Sequence, residues 1–242
     1  MDKAEYLEAL EAESDAFLSA AAAVAADSSV SHCGDWKIAD LVEHQTLVWG
    51  YATAAVKAAG QKPEPGHPKP DDESKLFEWA ASVRATMLET LNYADPKAPA
   101  RSFAANDQTA GFWQRRMVAE TLVHRWDAEQ CAPGEGSPMD PAVASDAIDE
   151  YTEVGLRYSN SRPDRTYPAS SLHLHCTDTE GEWLIVGDGA SDFTVTREHA
   201  KGDAAVKGSA ADLLLWVWGR NDGPVEIFGD EAVAAEWKAL AP

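Results

Sequence analysis

The chain has 242 residues, 45% hydrophobic and 25% charged, enough apolar side chain to build one large core or two ordinary ones. Its 41 acidic and 20 basic residues leave a net charge of -21; with Lys and Arg scattered singly, this excludes a nucleic-acid or anionic-lipid partner. No window approaches the roughly 18 apolar residues of a membrane span, and the acidic start (Asp2, Glu5, Glu8, Glu11, Glu13) is the reverse of an export signal.

In chain order, Leu7, Leu10, Phe17 and Val24 recur near helical spacing and predict a first helix from Met1 to about Ala26, broken by Asp27-Ser28-Ser29. The loop from Val30 ends in Asp35, expected to cap a second helix that starts at Trp36 and runs to about Ala59. Ile38, Leu41, Val42, Leu47 and Val48 form its apolar side, with His44 among them, and Gly60 ends it. Four prolines and a glycine make a loop of Gln61 to Pro70. Asp71 or Asp72 then caps a third helix to about Tyr93, with Leu76, Phe77, Ala80, Val83, Met87, Leu88 and Leu91 inward. An irregular connection from Asp95 to Thr109 leads to a fourth helix, Gly111 to Cys131. Polar loops between four such helices suggest an up-and-down bundle with one longer crossing.

A further helix is expected from Ala142 to about Tyr158, after which the pattern changes to period two. Ser171–Cys176, Glu182–Val186 and Asp192–Thr196 read as strands with glycine turns between them, and Ala204–Lys207 as a possible fourth. Helices follow from Ser209 to Trp218 and from Asp230 to Leu240. The expected fold class is therefore α plus α+β: a helical bundle over residues 1–160 and a smaller α+β domain over 161–242, with the boundary near Ser161. Cys33, Cys131 and Cys176 are far apart and form no CxxC pair, which argues against a disulfide scaffold and fits a reducing cytoplasm.

Glu120 and His124 lie one helical turn apart, so a carboxylate and an imidazole can close on one divalent cation. His44, on the second helix, can complete a three-ligand site whose composition is that of catalytic zinc, with positions left for water or substrate. The alternatives are a Glu/His pair that merely shares a wet helix face, and a His44 packed in the core against a helix carbonyl. Asp127 continues the stripe and could orient the free ring nitrogen of His124, ligate, or sit at the surface. Cys131 on the same stripe is expected to be structural, and Arg125-Trp126 to serve packing. His173 and His175 share one strand face; they could chelate a metal, but the alternation favours an exposed polar face. Cys33 precedes a helix N-terminus, where a thiol's pKa falls, so it is either a catalytic thiol or, preferably, a loop residue. Arg220, freed by Gly219 at the end of an apolar helix, could grip a substrate carboxylate; its other role is packing.

Three stretches carry a family resemblance: Trp36 with Asp40-Leu41-Val42-Glu43-His44, Glu120-Thr121-Leu122-Val123-His124-Arg125-Trp126-Asp127-Ala128-Glu129, and Leu214-Leu215-Trp216-Val217-Trp218-Gly219-Arg220. Over nearly the whole chain the sequence resembles the mycothiol-dependent maleylpyruvate isomerase family. The resemblance implies a DinB-like four-helix metal-binding domain followed by a sterol-carrier-like C-terminal domain. It also implies a divalent metal, zinc, on His44, Glu120 and His124, and mycothiol, a small thiol of actinobacteria, as cofactor. By resemblance, the zinc-activated thiolate would add to a cis double bond, allow rotation, and leave to give the trans isomer, with Arg220 on the substrate carboxylate. Partners would be a small electrophile and a low-molecular-weight thiol. The substrate, the choice between isomerase and S-transferase, and the oligomeric state stay open. A non-catalytic metal-binding sensor and a lipid carrier are the readings from other classes.

Overall fold

The Asp2 carboxylate accepts hydrogen bonds from the backbone N–H groups of Ala4 and Glu5 and thereby starts α1 (Lys3–Ala22), which ends about one turn before the expected Ala26. In the computed structural model, which describes residues 1–64, 66–132, 136–158, 166–220 and 224–241, three further long helices follow: α2 (Ile38–Lys57), α3 (Leu76–Tyr93) and α4 (Ala110–Glu129). Asp35 does not cap α2. The chain from Ser29 to Lys37 first folds back on itself, with Val30 N–H donating to Trp36 O and a bridge between Ser29 and Lys37. Helical geometry therefore begins only at Ile38, and Asp40 accepts from the Lys37 N–H at 2.8 Å. Asp72 caps a single 3-10 turn, Glu73–Lys75, that leads into α3.

The chain divides into two compact units, Met1–Pro138 and Met139–Pro242. In the first, α4 packs against α1 and α2, and α3 packs against the same two helices, so the bundle runs α1–α4–α2–α3 around its core. Consecutive helices α1 and α2, and likewise α3 and α4, thus lie across diagonals. A plain up-and-down bundle with one crossing is not what forms, because the connections 23–37 and 94–109 are each long enough to cross. Most of α4 is buried, on every side rather than along one stripe. Its position is fixed by a pair of hydrogen bonds from α2: Gln45 Nε2 and Trp49 Nε1 donate to Thr121 Oγ1 at 3.2 and 3.1 Å. On α2 the inward residues include Ile38, Leu41, Val42, Trp49 and Ala52, whereas Leu47 points outward and is 48% exposed.

The second unit begins with α5 (Pro141–Glu150), capped by Asp140 with Pro141 in the first turn, and continues through a π-helical stretch (Tyr151–Gly155) into the short α6 (Leu156–Tyr158). The boundary expected near Ser161 lies outside the described residues. A five-stranded sheet follows in the order β3-β2-β1-β4-β5, built from β1 (Ser171–Cys176), β2 (Glu182–Gly187), β3 (Phe193–Thr196), β4 (Ala204–Gly208) and β5 (Glu226–Gly229). Of the four pairings between these strands, β1 with β4 is parallel and the others are antiparallel. The helices α7 (Ala210–Val217) and α8 (Glu231–Lys238) pack on the sheet, and α5 packs on α7. The residues Leu172, Leu174, Trp183, Ile185 and Val206 are buried there. Strand β5 has no counterpart in the sequence reading. All four of its residues are exposed, so the alternation that marks a half-buried strand is missing. The expected class, a helical bundle and a smaller mixed α+β unit, is the class observed.

Candidate metal centre

Helix α4 carries Arg116, Glu120, His124 and Asp127 along one stripe, and α2 presents His44 to it. His44 Nε2 lies 3.1 Å from Glu120 Oε1, and His124 Nε2 lies 3.4 Å from the same oxygen. The two imidazole rings are 5.0 Å apart, nearly edge to face, and Trp36 lies tilted against His44 with ring centroids 5.0 Å apart. Glu120 and His124 are almost wholly buried, while a third of the His44 side chain faces solvent, so the group is open on the α2 side. His44 is therefore not a core histidine satisfied by a helix carbonyl; its ring nitrogen faces the α4 carboxylate.

Each buried partner has its remaining polar atom occupied. His124 Nδ1 lies 2.9 Å from Oδ2 of Asp127, which is fully buried and is also approached by Cys33 Sγ at 3.5 Å. This leaves Nε2 as the lone-pair nitrogen of His124 on the His44 side. Arg116 Nη2 pairs with Glu120 Oε2 one turn back on the helix, which leaves Oε1 for the histidines. Burial would raise the Glu120 carboxyl, but Arg116 and the hydrogen bonds from His124 and His44 hold it well below the usual carboxylate range. Burial would lower His124, and the hydrogen bonds to Asp127 and Glu120 overcome it and raise that imidazole.

The donor set is two imidazole nitrogens and one carboxylate oxygen, all within 4.8 Å of one another. That combination suits a divalent cation of the zinc class, and three protein ligands leave a coordination position free. The residues present thus fit such a metal. Arg116 is the member of this group that sequence reasoning missed; its i, i+4 spacing to Glu120 on the same stripe was the signal. Cys33, either a catalytic thiol or, preferably, a loop residue by sequence, lies in the loop before α2, and only the tertiary structure brings it to Asp127. Cys131 Sγ donates to the backbone oxygens of Ser29 and Asp127 at 3.4 Å, a structural part. Arg125 is buried between Glu13 and Glu129 on the opposite side of α4, and His32, with φ of 67°, sets its ring tilted against Trp126 with centroids 5.9 Å apart.

In the second unit, Gly219 takes the left-handed conformation (φ 69°) that ends α7, and the Arg220 N–H donates to Leu215 O at 2.8 Å. The Arg220 side chain is not freed to solvent. It is 7% exposed, its Nη1 donates to Trp218 O at 2.8 Å, and its guanidinium lies 5.6 Å from the Trp218 ring centroid. His173 and His175 do not form a bare polar face either: His173 is buried, and both stand with Glu182 and His199.

No curated protein matches the sequence. Two solved structures resemble it over 94% of this chain and 93% of their own. A histidine-to-alanine mutant of the mycothiol-dependent maleylpyruvate isomerase superposes with a TM-score of 0.61 at 10% identity, and a structure of the same isomerase without that mutation with 0.55 at 12%. At such identities the likeness is one of fold. The sequence itself matches the mycothiol maleylpyruvate isomerase N-terminal domain over residues 7–129 and the MDMPI C-terminal domain over residues 142–236. Both domains of the family being present in order, the chain belongs to the mycothiol maleylpyruvate isomerase family.

Proposed function

We propose that the protein is a divalent-metal enzyme, most simply a zinc enzyme of the reducing cytoplasm, that activates mycothiol for addition to a small electrophile and catalyses a maleylpyruvate-type cis–trans isomerisation. The convergence of His44 Nε2, Glu120 Oε1 and His124 Nε2 on one point, in a chain carrying both family domains, supports this reading. When bound, the metal would supply a Lewis acid that keeps the cofactor sulfur as a thiolate at neutral pH, and so a nucleophile for an activated double bond.

The chain's own residues do the rest. His44, Glu120 and His124 would hold the cation from two helices, and the Thr121 hydrogen bonds to α2 keep those helices in register. Asp127 sets the tautomer and the plane of the His124 ring. Arg116 occupies the second oxygen of Glu120 and leaves Oε1 as the oxygen that would face the cation. The open side next to His44 admits the thiol and the electrophile. Arg220, which is 7% exposed and whose guanidinium donates to Trp218 O, would reach a substrate carboxylate only by giving up that bond; its two-pronged geometry suits such a group.

The test is metal content and thiol-dependent turnover together. Wild-type protein purified in zinc should hold one equivalent at this centre and convert maleylpyruvate only when mycothiol is added; His44→Ala should lose both. Unchanged metal content in His44→Ala would remove these ligands from the account. Consumption of the thiol in step with a panel electrophile, without isomer formation, would mark an S-transferase. Stoichiometric metal without any thiol-dependent turnover across the panel would favour a binding or sensor protein.

A further inference from the structure

The sheet of the second unit carries a second cluster with the composition of a metal site, separate from the centre on α2 and α4. His173 and His175 share a face of β1, as period two requires, and Glu182 on β2 stands directly opposite His175 in the antiparallel register. His199 reaches the same spot from the segment that follows β3. His175 Nδ1 lies 2.6 Å from Glu182 Oε1, and His199 Nδ1 lies 2.9 and 3.1 Å from the two Glu182 oxygens. Nε2 of His173 is 3.9 Å from Glu182 Oε2, too far for a hydrogen bond.

Two features separate this group from a chance meeting of polar side chains. The first is the buried nitrogen: His173 is only 6% exposed, and its Nε2, buried and aimed at Glu182, has no hydrogen-bond partner. An orphaned buried imidazole nitrogen is costly unless something completes it. The second is the disposition of the rings. The three imidazole centroids are 6.0, 5.5 and 5.8 Å apart, close to an equilateral triangle. Three imidazoles bound tetrahedrally at a Zn–N distance of about 2.1 Å would place their centroids about 5 Å apart, so a closure of well under 1 Å per ring suffices. The segment that supplies His199 is held at its root, where Arg197 pairs with Asp149 and Glu153 at 2.6 Å each.

We propose that His173 Nε2, His175 Nδ1, His199 Nδ1 and one oxygen of Glu182 bind a divalent cation of the zinc class. With three nitrogens and one oxygen from the protein, the coordination shell is closed, so the site is structural: it ties the segment after β3 to β1 and β2. Imidazole-rich donors favour zinc, nickel or copper over magnesium or calcium, so magnesium should not compete.

The test uses full-length protein, freed of any affinity tag and stripped with a chelator, and titrated with Zn²⁺ or with Co²⁺ as a spectroscopic probe. Wild type should bind one equivalent at this cluster that His44→Ala retains, with tetrahedral Co²⁺ bands and zinc-induced shifts of the His173, His175 and His199 ring nitrogens in NMR spectra. His199→Ala should weaken that equivalent by more than the roughly tenfold to hundredfold that loss of a supporting partner costs. Zinc should also raise the melting temperature of wild type by several degrees and that of His199→Ala by less. Because the His199 side chain is 78% exposed, its removal should leave the metal-free fold intact, which far-ultraviolet circular dichroism checks. Glu182→Gln provides a second variant with the same expected loss. Metal stoichiometry and affinity unchanged in both variants, or no ring-nitrogen shift in the wild type, overturns the site. Failure of the α2–α4 centre instead shows as one equivalent in wild type that His44→Ala leaves in place.

Discussion

Asp127→Asn offers a sharp test of the α2–α4 centre, because it keeps the shape of a wholly buried side chain and removes its charge. The amide oxygen can still accept from His124 Nδ1, now at 2.9 Å from Asp127 Oδ2, so the ring should stay in place while its electrostatic support goes. Loss of a carboxylate behind a metal-bound histidine weakens affinity about 10- to 100-fold, or about 1.4 to 2.8 kcal/mol. That penalty should depend on pH with a definite sign. Burial opposes a charge on His124, yet Asp127 and Glu120 raise its pKa, so in wild type a proton competes with the metal to a higher pH than at an unperturbed histidine. Removing the Asp127 charge relieves part of that competition. The full affinity loss should therefore appear near pH 8 and shrink as pH falls through the raised His124 value. Stability of metal-free protein gives an independent check. A raised histidine contributes stability that is complete below its unfolded value of about 6.5 and is lost as pH rises through the folded value. Urea melts of stripped wild type should weaken over that rise, and those of Asp127→Asn should weaken less. Zinc affinity is read by competition with a chromophoric chelator. An unchanged affinity near pH 8 in a folded variant, or a gap that widens toward low pH, would refute the role given to Asp127.

Other substitutions probe the scaffold and the second domain. Arg125→Ala leaves the part-buried carboxylates of Glu13 and Glu129 without their shared, buried cation and should cost about 3 kcal/mol in a urea melt, the low end for a broken buried pair; a loss under about 1 kcal/mol would contradict the packing described. Thr121→Val removes the acceptor of two buried donors, Gln45 Nε2 and Trp49 Nε1, at about 1–3 kcal/mol for each. It should also lower zinc affinity, since α2 carries His44; stability lost with affinity intact would uncouple helix register from the centre. Arg220→Lys keeps the charge and loses the fork, so KM for a carboxylate substrate should rise about tenfold with kcat little changed. An effect confined to kcat would move Arg220 away from the carboxylate.

What was legible in the sequence were the features set by neighbours along the chain. Glu120, His124 and Asp127 share a stripe because a helix repeats every 3.6 residues, and that period is written into α4 itself. Strands β1 to β3 declared themselves by alternating residue types; in β2 and β3 this follows from one buried face, whereas β1 also buries His173 on its polar face. Where burial does not alternate, as in the fully exposed β5, the local signal vanishes although the strand pairs with β4. Asp35 has the right residue type for a cap, yet the hydrogen bond between Val30 and Trp36 keeps the chain out of the helix until Ile38. The family motifs pointed to His44, Glu120 and His124 as candidate ligands, but no local rule places them together.

Contacts between distant parts of the chain were settled only by packing. His44 and Glu120 are 76 residues apart, and Cys33 and Asp127 are 94 apart. Their meeting depends on α4 being clasped by α2 through Thr121 rather than on any spacing in either helix. The same holds for His199, which joins His173, His175 and Glu182 from outside any regular element. A sequence specifies which way each side chain leaves its own helix or strand, because that follows from backbone geometry over a few residues. Which surfaces then face one another is decided by burial of the whole apolar set at once, and so the partners across α2, α4 and the sheet emerge only in three dimensions.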